Sequence, residues 1–276
     1  MKKKLVILFT AMMTMLVLAA CGSDDDTTGD SGKKVLKVGM EAAYAPFNWS
    51  QNDDSNGAVL IKGSKEYAAG YDVEIAKKIA DGLDMELQIV KTDWDGLIPS
   101  LQSGAIDVVI AGMSPTEERK GTIDFSENYY TSDYVIVVKA DGPYAGAKTL
   151  ADLSGAKVTG QQATTHYDVI DQIPGVNKQV AGTDFGAMRV QLQSGAIDAY
   201  VSERPEGISA EMALKNIKYL VPEPNFEADP STTAVAVGLK KGSDLTEQIN
   251  KVLAEISEDA RQKFMEDAIA NQPAAQ

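Results

Sequence analysis

A seven-residue sequence that occurs twice constrains the fold of this chain more than any other feature. Residues 101–107 and 192–198 both read Leu-Gln-Ser-Gly-Ala-Ile-Asp, and the Thr-Asp pair at 92–93 recurs at 183–184 with the same offset. A helix end, a glycine turn and the start of a strand would produce this order. We therefore predict two lobes of similar α/β construction. Chance convergence on a common helix–turn–strand sequence is the alternative.

The segments around the first copy alternate between strand and helix patterns. Residues 35–40, 87–90 and 106–110 are short β-rich runs. Apolar residues at helical spacing between them predict one helix with Asp72 as its N-cap and a second helix that opens at Trp94. This β-α-β-α-β order implies a mostly parallel sheet with helices on its faces.

The second half of the chain carries similar signals. Residues 156–159 and 234–239 are strand candidates, and Asp244 and Ser257 are candidate N-caps for two C-terminal helices. The length of 276 residues accommodates two lobes of ordinary size.

The N-terminus has the composition of a secretory signal peptide. Three lysines precede an apolar run at 5–18, two alanines follow, and the only cysteine is Cys21. This order resembles the bacterial lipobox, in which the cysteine is acylated and becomes the first residue. We predict a signal peptide at 1–20, a lipid such as palmitate on Cys21, and a polar, flexible tether at 21–33. Two or more acyl chains would hold the chain stably on the outer face of a membrane.

Composition and motifs argue against several classes of function. The formal net charge of −14 disfavours nucleic acid as a partner and disfavours attraction to an anionic membrane surface. After the N-terminal run, no stretch approaches the roughly 20 apolar residues of a membrane-spanning helix. The sequence has no metal-ligand cluster, nucleophile elbow or phosphate-binding loop. We therefore expect no metal, no cofactor and no enzymatic activity.

A polar loop follows the strand at 106–110, and ligands of open α/β sheets bind beyond such strand ends. Ser114 is predicted to cap a helix, with Glu117 completing a capping box. Arg119 lies one turn further on and could hold a carboxylate through two parallel hydrogen bonds. An ordinary capped surface helix with a solvated Arg119 fits the same residues equally well.

The second half offers polar groups at comparable positions. Residues 160–166 follow a predicted strand and open a helix, so the hydroxyl and backbone of Thr164 are candidate donors to an anion. Glu203 stands at the strand end that corresponds to Gly112 in the repeat. His166, the single histidine, fits a structural or solvated role better than that of a ligand or catalyst.

Five short motifs occur in one order along the chain. They are Tyr-Ala-Pro-Phe at 44–47, Gly-Tyr-Asp at 70–72, Leu-Ile-Pro-Ser-Leu at 97–101, Ser-Pro-Thr-Glu-Glu-Arg at 114–119 and Ile-Asp-Phe-Ser at 123–126. In this combination the chain resembles the family 3 extracellular solute-binding proteins, the amino-acid receptors of ABC importers. The resemblance covers about residues 34–270 and fits the polar amino-acid branch of the family best.

The resemblance implies a type II periplasmic-binding-protein fold, in which two α/β lobes are joined by a hinge of two strands. The first lobe is then expected at 34–138 and 233–276, and the second at 139–232. The chain should cross between them near 137–142 and 226–234.

The resemblance also implies roles for particular residues. Arg119 should bind the α-carboxylate of an amino acid with help from Ser114 and Thr164. Glu203 should bind the ammonium group, where the family usually has Asp, and Ala163 stands where Gly is common. The full predicted ligand-binding set is Glu41, Tyr44, Trp94, Ala111, Gly112, Met113, Ser114, Arg119, Gln161, Ala163, Thr164 and Glu203.

The identity of the ligand depends mainly on Glu41. It matches an acidic position that faces the ligand side chain in binders of basic amino acids, and with Tyr44 and Trp94 it would suit histidine, arginine or lysine. Glutamine or a broader range of polar amino acids is the alternative, because Glu41 also fits a structural role near a sheet end. An alternative of another class is a secreted enzyme on the same fold, such as a dehydratase or a murein lyase.

The predicted function is the capture of a free polar L-amino acid by hinge closure and its delivery to the permease of an ABC importer. We expect a monomer that is attached to the membrane through the lipid on Cys21.

Overall fold

A computed structural model describes residues 32–273. The predicted signal peptide at 1–20, Cys21 and most of the predicted tether lie outside these residues. The strands are β1 (Val35–Met40), β2 (Ala43–Tyr44), β3 (Asn48–Gln51), β4 (Val59–Leu60), β5 (Tyr67–Ala69), β6 (Glu86–Lys91), β7 (Val108–Val109), β8 (Asp124–Thr131), β9 (Tyr134–Lys139), β10 (Lys157–Thr159), β11 (Asn177–Lys178), β12 (Ala199–Glu203), β13 (Ile217–Leu220) and β14 (Ala234–Leu239). The α-helices are α1 (Tyr71–Gly82), α2 (Leu97–Ser103), α3 (Glu117–Lys120), α4 (Thr165–Asp168), α5 (Phe185–Ser194), α6 (Arg204–Ala213), α7 (Pro230–Thr233), α8 (Leu245–Glu255) and α9 (Glu258–Asn271).

Two five-stranded sheets of the same architecture form the two lobes. The strand order is β6-β1-β7-β14-β8 in the first lobe and β11-β10-β12-β9-β13 in the second. In each sheet three neighbouring strands pair in parallel and the remaining two pairings are antiparallel. The prediction of two α/β lobes is confirmed. The sheets are mixed and mostly parallel, as predicted, because four of the five strands in each run in one direction and only β14 or β9 runs against them.

The repeated heptapeptide has the same local structure in both lobes. Gly104 and Gly195 are the C-caps of α2 and α5, with left-handed φ values of 83° and 79°. The carboxylate of Asp107 accepts a hydrogen bond from a backbone N–H of β1 at 2.8 Å, and Asp198 accepts the equivalent bond from β10 at 2.9 Å. Each copy therefore turns the chain out of a helix and ties the next strand to its parallel neighbour.

The chain crosses between the lobes twice. β8 belongs to the first sheet and β9 to the second, so the first crossing lies at 132–133, earlier than the predicted 137–142. The return connection, between β13 and β14, contains the predicted 226–234. The residue bounds of the two lobes remain a prediction.

Asp72 is not the N-cap of α1. The N-cap residue is Gly70, and Asp72 lies in the first turn with its side chain fully buried. Asn48 Nδ2 and the Tyr129 hydroxyl donate hydrogen bonds to its carboxylate at 2.7 and 2.8 Å. Burial nevertheless raises the pKa of Asp72 to about 7. The side chain therefore joins β3, α1 and β8 instead of starting a helix.

Two other predicted helix starts are displaced. Thr116, not Ser114, is the N-cap of α3, and its hydroxyl accepts a hydrogen bond from the backbone N–H of Arg119 at 3.3 Å. The hydroxyl of Ser114 donates instead to the carbonyl of Thr232 at 3.1 Å, in the return connection between the lobes. Trp94 opens a 3₁₀ turn, Trp94–Gly96, and α2 begins only after it.

The cores consist of apolar strands covered by helices. β14 is buried along its whole length, as expected for a strand flanked on both sides and covered on both faces. α1 packs against α8 and α9, and α2 packs on β1 and β7. Each fully buried Val or Leu side chain contributes about 1.5–3 kcal/mol. Within residues 32–273, no helix is long and apolar enough to cross a membrane.

The two repeat glycines provide a matched test of backbone strain. A Cβ at Gly104 or Gly195 would meet no heavy atom within 4 Å, so the cost of alanine is conformational and not steric. We expect Gly104→Ala and Gly195→Ala each to lower the free energy of unfolding by about 1 kcal/mol, measured by urea denaturation. Gly146→Ala is the control, because its Cβ also meets nothing and its φ lies outside the left-handed region. Equal stability of all three variants would contradict the prediction.

Candidate functional site

Residues that directly follow the parallel strands of the two sheets meet in one cleft. Both lobes line a small cavity there. The lining residues are Tyr44, Trp94, Gly112, Ser114, Arg119, Gln161, Thr164, Thr165 and His166.

Arg119 supplies the positive charge of the cleft. Its Nη1 donates to the carbonyl of Ser114 at 2.8 Å, and its Nη2 donates across the cleft to the carbonyl of Ala163 at 2.9 Å. The guanidinium lies 5.2 Å from the centre of the Trp94 ring. Desolvation lowers the pKa of Arg119 to about 10, so the group stays charged at neutral pH. Within residues 32–273 no carboxylate forms an ion pair with it, and the arrangement favours an anionic ligand.

Glu203 supplies a negative charge from the second lobe. It is the last residue of β12 and is 6% exposed. Its Oε1 accepts a hydrogen bond from the hydroxyl of Tyr44, which belongs to the first lobe. The Tyr44 ring stacks on Phe47 and on Phe185, with centroid distances of 5.0 and 4.4 Å. The aromatic stack therefore brings a carboxylate of one lobe against the other lobe.

Glu41 places a second acid in the cleft, directly after β1. Gln161 Nε2 from the second lobe donates to both of its carboxylate oxygens at 3.1 and 3.2 Å. The pKa of Glu41 is raised to about 7, chiefly by burial; the hydrogen bond from Gln161 opposes this rise, and the negative charges of Asp184, Asp93 and Asp95 add to it. This end of the cleft therefore favours a cation.

The loop at 160–164 presents a carbonyl to Arg119. Ala163 has a φ of +52°, a left-handed conformation that alanine rarely adopts. The Thr164 hydroxyl donates to the carbonyl of Gln161 at 2.7 Å and closes the turn. As a result the carbonyl of Ala163 accepts both the Arg119 bond and a long bond from Trp94 Nε1 at 3.4 Å. Thr164, predicted as a donor to the ligand, therefore uses its hydroxyl to close this turn. It also lines the cavity.

The remaining predicted residues occupy different positions. Gly112 lines the cavity with a φ of +60°, and a Cβ there would lie 2.8 Å from the Tyr44 ring. Ala111 lies in the core of the first lobe, 1% exposed. Met113 borders a wider groove that Arg119 also lines.

Three lining or supporting residues were absent from the predicted set. Phe185 stacks on Tyr44, and its correspondence with Trp94 in the repeat was a usable signal. Thr165 and His166 line the cavity; both belong to the predicted anion-binding segment at 160–166, where Thr165 was a possible donor, but His166 was assigned a structural or solvated role. In the part of the chain that the structure describes, no group of three or more His, Cys, Asp or Glu side chains could hold a metal ion.

Two α/β lobes that enclose a small cleft, with an arginine on one side and a buried carboxylate on the other, define a bilobal binding protein for small charged molecules. The sequence profile of the bacterial extracellular solute-binding proteins, family 3, matches residues 36–268, and the chain belongs to this family.

The chain is similar to several characterised proteins. It is 32% identical over 265 residues to the arginine-binding extracellular protein ArtP of Bacillus subtilis, with 94% of each chain covered. It is 30% identical over 276 residues to the L-cystine-binding protein TcyA of the same species, again with 94% of each covered. A solved amino acid ABC transporter substrate-binding protein from Streptococcus pneumoniae, bound to L-arginine, has a TM-score of 0.75 and 30% identity, and the match covers 86% of this chain and 94% of that one.

The raised pKa of Glu41 makes stability depend on pH. An acid whose pKa is higher in the folded state stabilises the fold at low pH, and this contribution is lost as the pH rises through about 7. The variant Glu41→Gln cannot ionise at this position, so its stability should not show this loss as the pH rises. We expect the unfolding free energy of the variant, relative to wild type, to increase by about 1–3 kcal/mol between pH 5 and pH 8 in urea denaturation. A difference that is the same at both pH values would contradict the assignment.

Proposed function

We propose that this chain is the substrate-binding receptor of an amino-acid ABC importer and that its ligand is a basic L-amino acid, most simply arginine. The observation that carries the proposal is one small cleft with three ionisable side chains around it. Arg119 lines the cavity, and Glu203 and Glu41 lie behind the lining, hydrogen-bonded to the lining residues Tyr44 and Gln161. A cationic amino acid has the complementary set of one carboxylate and two cationic groups.

Each ligand group has a partner of suitable chemistry. The α-carboxylate would accept hydrogen bonds from the Arg119 guanidinium, next to the backbone at Ser114 and Thr164. The α-ammonium would bind the carboxylate of Glu203. The side-chain cation would reach Glu41, where burial among acids already favours positive charge. The ring of Trp94 already contacts one guanidinium, and a second cation over an aromatic face would gain about 0.5–2 kcal/mol.

The relatives support this choice and leave competitors. ArtP is an arginine-binding protein and the Streptococcus pneumoniae protein is bound to L-arginine, whereas TcyA is an L-cystine-binding protein. Cystine, glutamine and other polar zwitterions would use Arg119 and Glu203 but would make less use of Glu41. A thermal-shift screen of the twenty amino acids and cystine, on protein freed of pre-bound ligand, separates these ligands. Chemical turnover of a bound ligand would instead favour the enzyme alternative.

Capture would occur by closure of the two lobes. Hydrogen-bonded pairs already span the cleft, among them Arg119 with Ala163, Tyr44 with Glu203, and Glu41 with Gln161. A zwitterion held by Arg119 and Glu203 would bridge the lobes and favour the closed form. The connections at 132–133 and between β13 and β14 would act as the hinge. The closed receptor, acting as a monomer, would deliver its ligand to the permease.

Removal of the guanidinium tests the carboxylate site. We expect Arg119→Ala to weaken the binding of L-arginine by at least about 100-fold, because a charge-assisted hydrogen-bonded contact is lost. Isothermal titration calorimetry gives the affinity. Lys120→Ala is the matched control, since it removes the neighbouring cation of the same helix, which pairs with Glu117 on the surface. Retained affinity in the Arg119 variant would refute this site.

Lipid attachment is proposed from the sequence around Cys21. Cys21→Ser removes the only thiol that can be acylated, so we expect the variant to lose incorporation of labelled palmitate when both chains are expressed in a bacterial host. The variant should also leave the membrane fraction, because no acyl chain anchors it. Labelling that persists in the variant would exclude Cys21 as the site.

A further inference from the structure

His166 lines the cleft from the second lobe, where it packs against Tyr134, Phe185 and Glu203. It lies in the first turn of α4, is 8% exposed and lines the cavity. The rings of Tyr134 and Phe185 hold the imidazole in place through T-shaped contacts with centroid distances of 5.6 and 5.8 Å. The imidazole therefore has little freedom to turn.

The two ring nitrogens of His166 have different surroundings. Nε2 lies 3.5 Å from Glu203 Oε1, the same oxygen that accepts the hydrogen bond from Tyr44. Nδ1 is buried and has no hydrogen-bond partner among the described residues. Nε2 faces the carboxylate and Nδ1 has no partner among these residues. Nδ1 is therefore the ring atom at which a proton would be gained or lost.

We propose that His166 is a positioning residue for Glu203 and that it makes recognition of the ligand's α-ammonium dependent on pH. The inference rests on the proposed function. Contact from His166 and Tyr44 on Oε1 orients the carboxylate and leaves Oε2 for the ammonium. When the imidazole is protonated, it becomes a second cation beside Glu203 and competes with the ligand. Affinity therefore falls on acidification.

Several ionisable groups surround the ring and bear on its charge. The groups that face His166 or share its cavity or helix are Glu203, Tyr44, Tyr134, Arg119 and Asp168.

A comparison of affinities at two pH values tests the proposal on the full chain. Imidazoles change charge between about pH 5 and 8, so calorimetry with L-arginine at about pH 7.5 and 5.5 covers the transition. In the Glu41→Gln background, which removes the other titrating acid of the cleft, we expect affinity to fall by about 3- to 30-fold on acidification and the fall to be largely absent when His166→Gln is added. An equal fall with and without His166 in that background would overturn the proposal.

Nuclear magnetic resonance provides a readout that needs no substitution of His166. The chain has one histidine, so its imidazole C2 proton gives a single titrating signal. We expect the midpoint of this titration to move to lower pH when L-arginine is added and also in Glu203→Gln. If wild type binds no amino acid, the proposed function fails, and the Glu203→Gln titration still decides whether the two residues are coupled. An unchanged midpoint in that variant would overturn the coupling.

Discussion

Arg119 is held by two backbone carbonyls, one from its own lobe and one from the opposite lobe. A carbonyl satisfies the hydrogen-bonding capacity of a guanidinium but does not neutralise its charge. The remaining charge determines what the cleft can bind. The acids Glu203 and Glu41 lie further along the cleft and are engaged by neutral donors, Tyr44 and Gln161. In these contacts the arginine and the two acids are hydrogen-bonded to neutral groups and not to each other. A ligand with both kinds of charge could pair with them.

The rest of the fold serves to hold these charges at the right separation. Each lobe ends three parallel strands at the cleft, and the repeated turn fixes the order of those strands in both lobes. Buried contacts behind the cleft keep its walls in place. The carboxylate of Asp72 joins three elements of the first lobe, and the stacked rings of Tyr44 and Phe185 join the two lobes. Packing of this density resists small displacements.

Local sequence patterns predicted most of the elements, the two similar lobes and the positions of Arg119 and Glu203, whereas Glu41 came from the family resemblance and the partners of all three were not predicted. The structural role of the repeat could be predicted from sequence because its glycine and its aspartate lie only three residues apart. Gln161 is 120 residues from Glu41, and Tyr44 is 159 residues from Glu203, so these pairings exist only in the folded chain. The same limit explains Asp72 and Ser114. Both are residue types that often cap helices, but their side chains form hydrogen bonds with distant segments instead.

The position of β14 has a consequence for biogenesis. This strand is close to the C-terminus, yet it lies in the interior of the first sheet, between β7 and β8. The second lobe is contiguous in sequence and can fold as soon as it emerges, whereas the first sheet stays split until the final segment arrives. During export a chain that enters from its N-terminus would therefore complete its binding cleft last. Capture of solute would begin only after translocation has ended, on the side of the membrane where the solute is to be collected.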